Sequence, residues 1–215
     1  FKTQLSLVEL TGLRAGDLSG LRFHLLNVTD SSIYYHTHHF LQQHQFLTPE
    51  PPNDFAYWVT NVLQEDEMGE RLAAMDTVRF SSLEILRGAI VLEIDQFLEN
   101  KPALRKAPIG EEFHFMKCIL FTLPTEYRAH DLREFLDCLK HVSIYSLYNH
   151  IFTGRLRPPL GINDFSNWLK TSLGEADLAK KIERLDPYTH TMEGLRKKII
   201  HIVEKRLEEV SDVKA

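Results

Sequence analysis

The sequence predicts a mainly α-helical protein with a minor β component, arranged as a tandem pseudo-twofold repeat whose units are each one strand followed by about five helices. Three observations carry this. Segments of the first half recur in the same order in the second. Apolar residues keep helical spacing through most of each half, and alternation with a period of two is confined to one opening segment per half.

The recurrence begins with "RAGDL" at 14–18 and "RAHDL" at 128–132, and at the same offset Val28 matches Val142. "SIYYH" at 32–36 matches "SLYNH" at 146–150, still in step. After a loop shortened by four residues, "NDFAYWV" at 53–59 matches "NDFSNWL" at 163–169. "LQEDEMGERLAAMD" at 63–76 answers "LGEADLAKKIERLD" at 173–186, and "LEILRGAI" at 83–90 answers "MEGLRKKI" at 192–199. The units are therefore 1–100 and 113–215, packed as one compact body, with 101–112 as a linker rich in proline and charge.

In each unit Phe1, Leu5 and Leu7, or Phe115, Ile119 and Phe121, alternate as a strand with one buried face. A lone strand leaves its edges unpaired, so the two strands are expected to pair across the pseudo-twofold axis. Asp17 and Asp131 cap the first helix, and Glu134 adds a box-like partner in the second copy. The second helix carries the histidines and ends at "LTPEPP" or "LRPPLG", where proline removes the donor that a continuing helix needs. The Asn-Asp pair starts a short third helix, a fourth runs to Asp76 or Asp186, and a fifth closes the unit. In the last of these, Leu195, Ile199, Ile202, Val203 and Leu207 form one apolar stripe.

A formal net charge of -5 and a pI near 6.1 give no basic surplus for a phosphate backbone, so no nucleic-acid partner is expected. Cys118 and Cys138 are the only cysteines and sit among apolar neighbours, which fits a reduced cytoplasm. No apolar run approaches the ~18 residues of a membrane span, and no basic-then-apolar leader precedes the first unit. The chain opens on Phe1 rather than Met, which leaves room for a short leader or tag ahead of it.

Four histidines, His36, His38, His39 and His44, crowd one short stretch. At 100° per residue Ile33, Thr37, Phe40, His44 and Leu47 face the core, His36 lies at its border, and Tyr35, His38 and His39 point outward. His38 and His39 are thus expected to be exposed and dispensable. In the second copy Phe152 and Thr153 replace them, while His36 keeps its counterpart His150. One reading brings His36 and His150 together at the axis, with Asp54 and Asp164 as metal ligands or as acid and base. The plainer reading gives each imidazole a backbone carbonyl or the nearby Tyr34 or Tyr148 as partner. No HExxH pattern, Cys-His spacing or carboxylate run supports a metal.

Asp54 and Asp164 are natural N-caps, and Phe and Trp three residues apart are natural core anchors. The ligand-binding alternative uses the free N–H groups of that helix start, with Asn53 and Asn163, to hold a polar ligand beside Trp58 or Trp168. Arg14 and Arg128 either bind an anion or pair with Asp76 and Asp186. No GxSxG, phosphate loop or cysteine motif is present. Carrying "SIYYHTHHFL", "PEPPNDFAYW" and "NDFSNW", the chain resembles a bacterial domain-of-unknown-function family of about this length with an internal duplication. The resemblance covers nearly the whole chain and implies a bacterial or archaeal cytoplasmic setting, with no catalytic residues to transfer.

The reading that results is a non-catalytic binding or regulatory module for a protein or small polar ligand, without cofactor, metal or membrane. Its rival is a metal-dependent or acid/base enzyme using His36 and His150.

Overall fold

The structure is a computed structural model describing residues 1–39, 52–100, 105–157, 161–185 and 191–212. The Pro-rich turn 47–51, residues 158–160, Phe40, His44, Leu47 and Asp186 lie outside the described residues.

The first strand, β1 (Lys2–Ala15), is followed by helices α1 (Leu18–Asn27), α2 (Asp30–Tyr34), α3 (Asp54–Asn61), α4 (Asp66–Ala73) and α5 (Leu83–Glu99). The second strand, β2 (Phe113–Pro124), precedes α6 (Leu132–His141), α7 (Ile144–Ile151), α8 (Asp164–Thr171), α9 (Ala176–Glu183) and α10 (Met192–Asp212). The protein is mainly helical, and β1 pairs with β2 in a two-stranded sheet.

Two compact units emerge, and the strands are divided between them. One unit takes Phe1–Leu5 with the chain from Leu120 onward; the other takes the described residues between Ser6 and Ile119. Helices α1 to α5 are thus grouped with the start of β2, and α6 to α10 with the start of β1.

Helix starts follow local chemistry. Asp17 accepts from Gly20 N–H at 2.8 Å, and Asp131 from the N–H groups of Arg133 and Glu134 at 2.8 and 2.9 Å. Glu134 in turn accepts from His130 N–H at 2.7 Å. These bonds satisfy donors that have no partner inside the helix. The apolar stripe of α10 is buried at Leu195, Ile199 and Val203. In α5 the equivalent stripe buries Leu86, Ile90, Val91, Ile94 and Phe97.

The strands depart from expectation. Leu5, Leu7, Ile119 and Phe121 are exposed by 56%, 51%, 37% and 50%, whereas Gln4 and Cys118, of opposite parity, are buried. A two-stranded ribbon twists more strongly than a wide sheet, so a single alternation does not keep to one side along 14 residues. Only Phe115 holds the predicted buried position fully.

Candidate functional site

Helix α2 does not continue regularly through the histidines. Tyr35–His39 forms a π-helical turn, which holds more residues per turn than an α-helix and breaks the 100° advance. His36, Thr37, His38 and His39 are all buried as a result, correcting the expectation that His38 and His39 face solvent.

His36 sits between two partners. Its Nε2 accepts the Met116 backbone N–H at 2.9 Å, and its Nδ1 lies 2.7 Å from Asp54 Oδ2. A nitrogen that accepts cannot carry a proton, so the proton resides on Nδ1 and is donated to Asp54. Burial holds the His36 pKa below the ordinary imidazole value and outweighs the opposing pull of Asp54.

The other unit repeats this geometry. His150 Nε2 accepts the Lys2 N–H at 2.9 Å, and Nδ1 faces Asp164 Oδ2 at 2.8 Å. Arg157 Nη2 also donates to Asp164 Oδ2 at 2.6 Å. Burial alone would raise the Asp164 pKa, but the hydrogen bond from His150 and the charge of Arg157 hold it below the usual carboxylate range. Gly154 lies so close that an added Cβ would meet Asp164 Oδ1 at 2.8 Å.

A carboxylate orienting an imidazole is also the arrangement of a general base, but a base keeps its second nitrogen open to substrate. Here a backbone N–H occupies that nitrogen in both units. Acid/base work or metal ligation at Nε2 would first have to break the bond to Met116 or Lys2. Among the described residues no group of three or more His, Cys, Asp and Glu is placed to hold a metal ion.

The partners differ from those expected. Asp54 and Asp164 are not N-caps: Asn53 Oδ1 accepts from Ala56 N–H at 2.9 Å and Asn163 Oδ1 from Ser166 N–H at 2.8 Å. The aspartates are the first residues of α3 and α8, pointed at the histidines instead. Tyr34 and Tyr148 stack on His38 and Phe152 respectively, with ring planes 12° and 10° apart. His38 thus does the packing work of a flat ring. Thr37 Oγ1 donates to Ile33 O at 2.6 Å and so accepts from His38 Nδ1 at 2.9 Å, while burial lowers the His38 pKa to about 4.

Trp58 is buried, and its indole N–H donates to Glu111 O at 2.8 Å. Arg14 and Arg128 are exposed. Asp76 pairs with Arg79 at 2.6 Å, not with Arg14. Sequence reasoning missed Arg87 and Arg196, which donate to Leu25 O at 3.2 Å and Leu139 O at 2.7 Å near the C-terminal ends of α1 and α6. Their common place in "LEILRGAI" and "MEGLRKKI" was the available signal.

A cavity of about 200 Å³ opens beside His150 within its own unit. Phe1, Phe135, Phe165 and Trp168 line it together with Ala129, His150 and Asp164.

No curated protein matches this chain. Among solved structures, OrfY from Thermoproteus tenax is similar over 95% of this chain and 93% of its own, with 26% identity and a TM-score of 0.81. A family model matches residues 1–204, and the chain belongs to that family of unknown function, DUF5752.

Proposed function

We propose that the chain is a non-catalytic binding or regulatory module built from a duplicated helical unit, acting in the cytoplasm on a protein or small polar ligand. The observation that carries the non-catalytic part is the occupation of both ring nitrogens of His36 and His150 by fold-internal partners. Such histidines fasten a strand to a helix and leave no free lone pair for chemistry. Both cysteines are buried and their thiol pKa values are raised, Cys118 to about 11, which argues against a thiolate nucleophile.

Bonds at sequence-matched places support the duplication. Ser32 Oγ donates to Met116 O at 2.6 Å, and Ser146 Oγ to Lys2 O at 2.8 Å. The Arg87 and Arg196 bonds to Leu25 O and Leu139 O match likewise. Two experiments test this reading. Exchanging matched residues reciprocally, His38→Phe and Phe152→His, should leave the fold intact because each ring stacks on its tyrosine and Thr37 Oγ1 keeps its bond to Ile33 O when His38 is replaced. Melting wild type, His36→Ala and His150→Ala with and without chelator should show destabilised variants and no chelator effect. A chelator effect on wild type that either variant abolishes would establish a stabilising metal and sink the reading, since a metal bound only by the folded form adds its binding energy to stability.

The enzyme reading keeps one observation in its favour: the cavity reaches the edge of the His150 and Asp164 pair. Activity would then require the Lys2 N–H to release Nε2.

A further inference from the structure

The outward faces of α1 and α5 carry four large apolar side chains that the core does not use. Phe23 and Leu26 of α1 are exposed by 61% and 47%, and Ile85 and Leu92 of α5 by 55% and 56%. Two contacts fix how these helices run. Arg22 donates to Asp95, and Arg87 Nη1 donates to Leu25 O at 3.2 Å, so ascending α1 is descending α5. Leu26 and Leu92 each lie one helical turn from the Arg22–Asp95 bridge, in the same direction, and so stand side by side. Ile85 follows Leu92 two turns further down α5. Between them Gly88 leaves a notch, where an added Cβ would meet nothing within 4 Å.

The matched places of the other unit show that such helices do not require an apolar surface here. By the sequence match, Asp137, Lys140, Gly194 and His201 stand for Phe23, Leu26, Ile85 and Leu92, and Lys197 stands for Gly88. Asp137, Lys140, Lys197 and His201 are exposed, and Lys140 pairs with Glu204 at 3.2 Å between α6 and α10. One face is thus built for water. Apolar side chains gain nothing from water, and a contiguous exposed group of them marks an interaction surface.

We propose that this face binds the same face of a second copy of the chain, through an antiparallel contact of α5 with α5 about a twofold axis near Gly88. Ile85 and Leu92 stand three and four residues from Gly88, so an antiparallel copy sets each Ile85 against Leu92 of the other. Gly88 lets the two backbones approach at the crossing. A twofold axis across the helices keeps both α1 helices on one side, where Phe23 and Leu26 meet their own equivalents.

Charge and area suit this occupant. Arg22 with Asp95 and Arg87 with Asp30 are paired within the chain, which leaves no strong field to repel a copy. Glu84 is exposed and has no ion pair among the described residues; in the antiparallel contact it comes level with Arg22 of the second copy. The four side chains present roughly 400 Å² per copy, and two such faces with their polar rims reach about 1,000 Å², the size that a weak but specific interface must clear. The proposal rests on the duplicated-unit reading, which supplies the matched positions.

The test is sedimentation equilibrium of the full chain from about 1 to about 200 µM, where a small interface of this kind dissociates. Wild type should pass from monomer to dimer. The variant Phe23→Asp with Leu26→Lys and Leu92→His, which copies the matched residues, should dimerise at least about tenfold more weakly with an unchanged circular dichroism spectrum. Under mild oxidation Gly88→Cys should form a covalent dimer, whereas Lys197→Cys at the matched place should not; Cys118 and Cys138 are buried. If the triple variant does not fold, the Gly88→Cys cross-link decides alone. A wild-type chain that stays monomeric leaves the face to a partner of another kind and overturns the proposal. A dimer that the folded triple variant retains, or a Gly88→Cys chain that does not cross-link, overturns it as well. The reciprocal exchange of His38 and Phe152 reads the duplication without touching this face, so failure of the dimer is distinguishable from failure of the duplication.

Discussion

His36 and Asp54 meet at 2.7 Å with the shared proton on the imidazole Nδ1, because Nε2 is already taken by the Met116 N–H. The pair joins the π-helical turn, the start of α3 and strand β2 in one hydrogen-bonded line. Each link is local in space and distant in sequence.

This geometry separates two neighbouring residues. Asn53→Ala removes the true cap and should cost about 0.5–2 kcal/mol. Asp54→Asn keeps an acceptor for Nδ1 and should cost about 0.3–1 kcal/mol through the lost charge at the helix start. Asp54→Ala strands a buried donor and should cost about 1–3 kcal/mol. Denaturant melts of the three variants check the order, and an Asp54→Asn as damaging as Asp54→Ala would show that the carboxylate charge itself is required.

Acid should destabilise the protein through His36 and His38. Both folded pKa values lie below the ordinary 6.5, His38 at about 4, so the unfolded chain binds more protons between these values. Their contribution is present above about pH 6.5 and is lost as pH falls toward 4, at up to about 1.4 kcal/mol per pH unit for each proton. His38→Phe, copying Phe152, should flatten that slope by up to one proton while retaining stability at neutral pH. Urea melts from pH 4.5 to 8 measure it, and an unchanged slope would contradict the buried neutral state of His38.

Gln64 occupies the left-handed region at φ 55°, where the matched Gly174 sits at φ 71°. A side chain there costs about 1 kcal/mol that glycine avoids. Gln64→Gly should therefore be neutral or stabilising despite the added freedom of the unfolded chain, and Gly174→Gln should destabilise by about 1 kcal/mol. Melting temperatures of the two variants moving in the same direction would contradict this.

Much of the fold was legible in the sequence. The caps Asp17 and Asp131, the stripe Leu195, Ile199 and Val203, and the order of strand and helices all follow from spacing and local side-chain chemistry. His36 and His150 also emerged, because each stands at the same point of a recurring motif. Their partners did not: Met116 and Lys2 lie 80 and 148 residues away, and a backbone N–H carries no side-chain signature. Asn and Asp both cap helices well, so adjacency alone could not separate Asn53 from Asp54. The burial of His38 and His39 depends on a π turn that a uniform helical wheel does not contain. The exposed Leu5 and Phe121 reflect ribbon twist, which alternation cannot report.

The most direct test of the central claim is a long-range ¹H–¹⁵N spectrum of the histidine side chains at pH 7, assigned with His36→Gln and His150→Gln and repeated with added zinc. The account predicts that His36 and His150 carry a proton at Nδ1, with an acceptor-type Nε2 whose shift zinc leaves unmoved. Protonation at Nε2 of either ring, or a zinc-dependent shift of either Nε2, would contradict it.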